Sequence, residues 1–139
     1  MVRSFLPLLG LLVLAPFVSC AQPTSGSGHE VLSPAEFKSR MATAPGTLVD
    51  VRTPEEWKDG VIEGALLIDF HSADFASTIK NVDASKPVYL YCAAGGRSYK
   101  AAQLLGKEGY THVVELDGGM GAWKEAGHTT VPPGSTSKR

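Results

Sequence analysis

The stretch Tyr89-Leu90-Tyr91-Cys92-Ala93-Ala94-Gly95-Gly96-Arg97-Ser98 decides how this chain folds. It begins as an apolar, aromatic run that is typical of a buried strand, and the run stops at a cysteine. Two glycines follow, and the residues from Ser98 to Leu105 have the spacing of an amphipathic helix. Small residues let backbone N–H groups converge on the sulfur, and a helix N-terminus adds positive potential, so the arrangement favours a thiolate. We therefore interpret Cys92 as a nucleophile.

Apolar runs and capping signals alternate along the rest of the chain. Ser33-Pro34-Ala35-Glu36 and Thr53-Pro54-Glu55-Glu56 each have the pattern of a helix start with a capping box. Further helices are predicted after Ser72 and around Trp123. Further strands are predicted at residues 31–32, 47–51, 65–68 and 112–116. Short strands that alternate with helices predict an α/β fold, with a mostly parallel sheet covered by helices on both faces.

Four segments, in this order, resemble the motifs of the rhodanese (sulfurtransferase) family. They are Asp50–Trp57, Gly60–Ala65, the Cys-x4-Arg-Ser loop from Cys92 to Ser98, and Leu116–Trp123 followed by Ala126-Gly127. The resemblance covers about residues 31–131, which is the whole of one single-domain rhodanese. It implies a central sheet of about five strands, mostly parallel.

The resemblance also implies a sulfurtransferase. In that chemistry the Cys92 thiolate takes a sulfur atom from thiosulfate or a persulfide, carries it as a persulfide, and passes it to a thiol or cyanide-like acceptor. Backbone N–H groups of the loop would stabilise the negative charges without a general base. No cofactor is expected. The residues expected to bind the substrate are Ala93, Ala94, Gly95, Gly96, Arg97 and Ser98.

The polar side chains of the motifs each allow two roles. Arg97 is expected either to face the donor anion or to bond the loop carbonyls and hold the loop in shape. Ser98 is expected to donate to the sulfur or, as the more common role, to cap the helix. Asp50 and Arg52 are interpreted as structural support in preference to catalytic groups, as an ion pair that ties the strand end to Glu56 or the neighbouring loop.

Two departures from the family pattern affect the expected activity. Val61 stands where the second motif usually has histidine, a position that is mainly structural. Ala93 and Ala94 place no basic or hydrogen-bonding side chain in the loop, whereas many thiosulfate-using members have a basic residue there. We therefore expect inefficient use of thiosulfate and consider a persulfide as the donor.

Two other classes of function compete with sulfur transfer. The first is a module that only carries sulfur or binds a protein partner, although purely non-catalytic rhodanese folds usually lack the cysteine. The second is a phosphatase or arsenate reductase, whose loop has the form Cys-x5-Arg. Only four residues separate Cys92 from Arg97, so the loop is too short to surround a phosphoryl group.

Residues 1–20 are typical of an export signal. Arg3 precedes an apolar core that is too short for a bilayer span, which needs about 20 residues. Phe17-Val18-Ser19-Cys20 resembles a bacterial lipobox, with phenylalanine where leucine is usual, and predicts lipidation of Cys20. Ser19-Cys20-Ala21 instead fits ordinary signal peptidase. The first interpretation is favoured because the cysteine ends the apolar core, so we expect an exported bacterial protein, periplasmic or anchored by lipid.

Composition completes the expectations about organisation and partners. Residues 21–30 are predicted to be a flexible linker, 31–131 a rhodanese-like domain and 132–139 a disordered tail. The chain has 13 basic and 14 acidic residues and a net charge of −1, which predicts no nucleic-acid surface. Contact with a membrane is expected only through the lipid anchor. The four histidines lack metal-ligand spacing, so no metal site is expected.

Overall fold

Five strands and five helices make up the part of the chain that a computed structural model describes, residues 1 and 28–135. The strands are β1 (His29–Leu32), β2 (Thr47–Asp50), β3 (Leu66–Leu67), β4 (Val88–Tyr91) and β5 (Val113–Leu116). The helices are α1 (Pro34–Thr43), α2 (Pro54–Trp57), α3 (Phe75–Ile79), α4 (Gly96–Lys107) and α5 (Gly119–Glu125).

The strands form one sheet in the order β1-β5-β4-β2-β3, and every pair of neighbours is parallel. Strand β4 is the middle strand, between β5 and β2. Its carboxyl end therefore lies at the centre of the sheet edge where ligands bind in α/β proteins. The predicted α/β architecture with a central parallel sheet is confirmed.

Helices cover both faces of the sheet, as predicted. Along β4 the residues alternate: Val88 and Leu90 belong to the apolar core beneath α3 and α4, whereas Tyr89 and Tyr91 belong to the core beneath α1 and α5. All four side chains are buried. A strand that is buried on both faces has a continuous apolar sequence, which is the pattern that identified β4.

Local capping signals place two helices where they were expected. Ser33 and Thr53 each complete a capping box with the glutamate three residues later, Glu36 and Glu56. Ser72 was predicted to cap α3, but Asp74 is the N-cap residue and α3 begins at Phe75. The Ser72 hydroxyl instead bonds the carboxylate and the backbone N–H of Asp74, which holds both residues in the turn before the helix.

The ends of the domain differ from the sequence-based boundaries in one respect. Strand β1 begins at His29, inside the range predicted to be a linker, because residues 29–32 pair in register with β5. Within the described residues, no helix is long and apolar enough to cross a membrane. The predicted export signal with Cys20 lies outside the described residues, apart from residue 1, and so do residues 21–27 and 136–139.

Candidate active site

Cys92 directly follows β4, at the carboxyl end of the middle strand. Its side chain is a free thiol that is almost fully buried, with 1% of the residue exposed. The loop from Ala93 to Gly95 then turns the chain into α4. The sulfur therefore lies on the floor of the loop, whereas Ala94 and Gly96 on the rim are exposed.

Gly95 shapes the turn around the sulfur. Its φ of 108° is in a region that a residue with a side chain rarely adopts, and it is the N-cap residue of α4. In this conformation its backbone N–H donates to the Cys92 Sγ at 3.1 Å. The loop thus directs a main-chain donor to the sulfur, as the small residues of the sequence predicted.

The first residues of α5 also hold this turn in place. The carbonyls of Cys92 and Ala93 accept hydrogen bonds from the backbone N–H groups of Met120 and Gly121, at 2.8 and 3.1 Å. Gly119 has a φ of 58°, and a Cβ on it would lie 2.4 Å from the Cys92 oxygen. The start of α5 therefore holds two loop carbonyls by close backbone contact, and only glycine fits at position 119.

The pKa of the Cys92 thiol is lowered by this environment, although burial alone would raise it. Hydrogen bonds outweigh the burial. They come from the Ser98 hydroxyl and from the backbone N–H groups of Ser98, Ala94 and Gly95. Donors that point at a sulfur stabilise its charged form, so the site supports a thiolate.

The buried Ser98 hydroxyl lies among three acceptors. Its Oγ is 2.6 Å from Glu115 Oε1, 3.0 Å from the Gly95 carbonyl oxygen and 3.5 Å from Cys92 Sγ. The expected capping role was wrong, because the N-cap position of α4 is Gly95 and Ser98 lies in its first turn. The predicted proximity to the sulfur is present.

Glu115 is a component of the site that the sequence reasoning missed. It belongs to β5 and is 3% exposed, and its second oxygen lies 3.0 Å from His29 Nε2 on the neighbouring strand β1. The sequence contains a signal for it, since Val113-Val114-Glu115-Leu116 places one acid within a buried apolar strand. A buried glutamate is rare unless it is paired, so an acid at this position predicts a polar partner nearby.

Arg97 does not bond the loop carbonyls, which was one of its two expected roles. Its Nη1 and Nη2 atoms bond the two carboxylate oxygens of Glu56 in α2, each at 2.7 Å. A bidentate pair of opposite charges is stronger than bonds to neutral carbonyls, which explains the choice. Arg97 lowers the pKa of Glu56 to about 2, and Glu56 raises the pKa of Arg97. The pair connects α2 to the start of α4.

Asp50 and Arg52 form a buried ion pair beside this connection. Arg52 Nη2 lies 2.7 Å from Asp50 Oδ2, and the Arg52 backbone N–H also donates to Asp50 at 2.9 Å. The guanidinium further bonds the carbonyl oxygens of Gly60 and Glu56, at 2.8 and 3.2 Å. These contacts agree with the proposed tie between the end of β2 and the following loop, and they satisfy both charges internally.

The profile of the rhodanese-like domain matches residues 33–126. The chain belongs to the rhodanese family. The matched rhodanese segment includes Cys92 and every residue of its loop, together with Glu56 and Glu115. His29 lies outside it.

Relatives of this rhodanese domain include single-domain sulfurtransferases. It is 37% identical to a sulfurtransferase of Allochromatium vinosum, over 62% of this chain and 78% of that protein. It is 36% identical to the thiosulfate sulfurtransferase GlpE of Pseudomonas entomophila, over 66% of this chain and 77% of that protein. A tRNA uridine(34) hydroxylase of Chlamydia abortus is 31% identical, over 78% of this chain but only 35% of that protein.

Solved structures of other rhodanese-like proteins have the same fold. The crystal structure of a rhodanese-related protein from Thermoplasma volcanium superposes with a TM-score of 0.65 at 26% identity, and covers 73% of this chain and 97% of that one. Among residues 28–135 of this rhodanese, no group of three His, Cys, Asp or Glu side chains could hold a metal ion.

Proposed function

We propose that this protein is a sulfurtransferase that carries a sulfane sulfur on Cys92. The observation that carries the proposal is the buried Cys92 sulfur, which accepts a backbone N–H from Gly95 at 3.1 Å and has a lowered pKa. A persulfide and the anion that leaves the donor are both negative, and main-chain donors stabilise such charges. The sulfurtransferases among the relatives support the same reaction class.

The reaction needs two displacements. In the first, the Cys92 thiolate attacks the outer sulfur of the donor, a sulfur–sulfur bond forms, and the donor's own bond to that sulfur breaks. The donor's remainder leaves with the electron pair, as a thiolate or as sulfite. In the second, an acceptor nucleophile attacks the terminal sulfur of the Cys92 persulfide and restores the thiolate. Both steps pass through one covalent enzyme form, which predicts ping-pong kinetics.

We further propose a persulfide rather than thiosulfate as the preferred donor. Thiosulfate carries two negative charges, and its binding is helped by a cation that is free to face it. The guanidinium of Arg97 is already paired with Glu56 through two bonds of 2.7 Å. The exposed rim residue Ala94 adds no charge. A thiol-derived persulfide has a smaller charge and depends less on such a cation.

Mass spectrometry of purified protein tests the sulfur-transfer proposal. Incubation with a persulfide donor should add one sulfur atom to the peptide that contains Cys92, and a thiol acceptor should remove it. Cys92→Ser should abolish both the mass gain and turnover, while Cys20→Ser serves as the matched control and should keep them. Turnover that survives Cys92→Ser would refute the proposal. A Cys92 persulfide that forms without turnover would favour the carrier function.

The donor preference has a separate test on the loop rim. Ala94→Lys should improve kcat/KM for thiosulfate, because it adds an unpaired cation beside the sulfur, by about 1 kcal/mol or roughly fivefold. Ala94→Gln is the matched control, since it adds a side chain of similar length without charge. An equal gain in both variants, or no gain with lysine, would contradict the electrostatic argument.

We also propose that the protein is exported and lipidated at Cys20. This proposal rests on the lipobox-like sequence Phe17-Val18-Ser19-Cys20 alone. In this proposal the domain lies outside the cytoplasm, and the acyl chains on Cys20 hold it near a membrane.

A further inference from the structure

The Arg97 guanidinium lies close to two groups that carry negative charge. Its Nη1 and Nη2 atoms bond the two oxygens of Glu56, each at 2.7 Å. The pKa of Arg97 is raised by this carboxylate and also by the Cys92 thiolate, so the guanidinium is near the sulfur as well. The Arg97 and Glu56 side chains are mostly covered, at 19% and 32% exposure, so solvent screens them less than a surface pair. The cation beside the sulfur is therefore already neutralised.

Contacts within and beside α2 hold the Glu56 carboxylate in place independently of Arg97. Its Oε2 accepts from the Thr53 backbone N–H at 2.9 Å and from the Thr53 hydroxyl at 3.0 Å, within the capping box of the helix. The Glu56 carbonyl accepts from Arg52 Nη1 at 3.2 Å, which fixes the backbone of the same residue. The carboxylate therefore cannot follow Arg97. The guanidinium would have to break both short bonds before it could turn to a sulfur donor.

We propose that Glu56 determines donor specificity by neutralising Arg97, so that dianionic donors are disfavoured and donors of low charge are accepted. Glu56 acts through Arg97 and is therefore a positioning residue. An unpaired cation attracts a dianion twice as strongly as a monoanion, whereas a pair without net charge offers little attraction to either. The inference rests on the proposed sulfur transfer for the identity of the donors. The charge beside the sulfur is a property of the folded chain and can be tested separately.

Alkylation of Cys92 by two reagents of different charge tests the inference without any sulfur donor. Iodoacetate is an anion and iodoacetamide is neutral, and both react with the thiolate. The ratio of their rates, followed on the Cys92 peptide of the full chain by mass spectrometry, cancels any change in the fraction of thiolate. Glu56→Gln removes the charge but keeps the capping box, in which glutamine also serves. The ratio of the iodoacetate rate to the iodoacetamide rate should rise roughly threefold to fivefold.

Two further variants show whether the effect passes through Arg97. Glu55→Gln is the matched control, because it removes the same charge from the same helix. Glu55 is exposed and pairs with Lys58 at 2.6 Å, so at about 0.15 M salt its loss should leave the ratio unchanged. Glu56→Gln combined with Arg97→Gln should return the ratio to the wild-type value, because the cation is then absent too. An unchanged ratio in Glu56→Gln, an equal rise in Glu55→Gln, or a rise that persists in the double variant would overturn the inference.

Steady-state turnover connects the charge beside the sulfur to the choice of donor. In Glu56→Gln, kcat/KM for thiosulfate should rise roughly fivefold, mainly through a lower KM. For the persulfide of 2-mercaptoethanol, whose carrier is uncharged, kcat/KM should change by less than about twofold. Equal gains for both donors would overturn the inference, because they would reflect a more reactive sulfur instead of a selective charge. If neither donor supports turnover, the proposed sulfur transfer fails, and the alkylation ratio still decides the inference.

Discussion

Replacing Arg52 with methionine should reduce the free energy of unfolding by about 3–5 kcal/mol. Asp50 has no exposed surface and Arg52 is 3% exposed, so the pair is removed from water. In the variant, Asp50 loses the Nε and Nη2 donors, at 3.0 and 2.7 Å, and keeps the backbone N–H of residue 52. The carbonyl of Gly60 also loses its donor. Methionine fills much of the volume of the Arg52 side chain, so the loss of unfolding free energy reports the uncompensated buried charge of Asp50.

Urea unfolding measures this effect directly, as a fall in the midpoint at unchanged slope. Because small domains have a total stability of about 5–15 kcal/mol, the variant would lose a large share of it. Arg40→Met is the matched control. Arg40 pairs with Glu30 at 3.1 Å, but both side chains are about half exposed, at 41% and 54%. Its loss should be below about 1 kcal/mol.

The double variant Asp50→Asn with Arg52→Met separates pairing from packing. Removing the carboxylate's charge as well should recover part of the stability, so the combined loss should be smaller than the sum of the two single losses by about 0.5–3 kcal/mol. A loss in Arg52→Met no larger than that in Arg40→Met would refute the reasoning. Additive single losses would show that the guanidinium acts through its carbonyl bonds instead.

Three further predictions concern other parts of the chain. Arg97 lowers the pKa of Glu56 from an ordinary value of 4.5 to about 2. The ion pair therefore stabilises the fold fully at a pH above 4.5, and this stabilisation is lost as the pH falls through about 2. As the pH is lowered from 4.5 to about 2, the free energy of unfolding of Glu56→Gln, measured with urea, should therefore fall less than that of the wild type. Tyr91→Phe should destabilise the domain by about 1–3 kcal/mol, since the buried N–H of Ile62 loses the hydroxyl that accepts from it at 3.0 Å; equal urea midpoints would contradict this. Cys20→Ala should release the protein from membranes in a fractionation assay, and a wild type already found in the soluble fraction would favour ordinary signal cleavage.

Much of the fold was predictable because its signals are local. The capping boxes at Ser33 and Thr53 each lie within four residues and fix a helix start without help from the rest of the chain. The start of α3 was not predictable in this way, because Ser72 and Asp74 are both good N-cap residues. The first two residues of strand β1 were not predicted either. His29 and Glu30 are polar, and a strand paired on one side only, with β5, needs no apolar sequence there.

The site divides in the same way between local and distant contacts. The loop from Cys92 to Gly95 could be predicted because the sulfur and its donor are neighbours in sequence. The partners of the loop could not, because the topology brings them together. Glu56 lies 41 residues from Arg97, and Glu115 reaches Ser98 only because β5 is adjacent to β4 in the sheet. Neither role expected for Arg97 included its bonds to the Glu56 carboxylate.

The way in which α5 holds the loop has a practical consequence for redesign. Because backbone groups of Met120 and Gly121 fix the carbonyls of Cys92 and Ala93, no loop side chain is needed to keep the turn in place. Selectivity and reactivity can therefore be engineered separately. A library that varies positions 93, 94 and 96 can be selected for new sulfur donors, provided that Gly95 and Gly119 remain fixed.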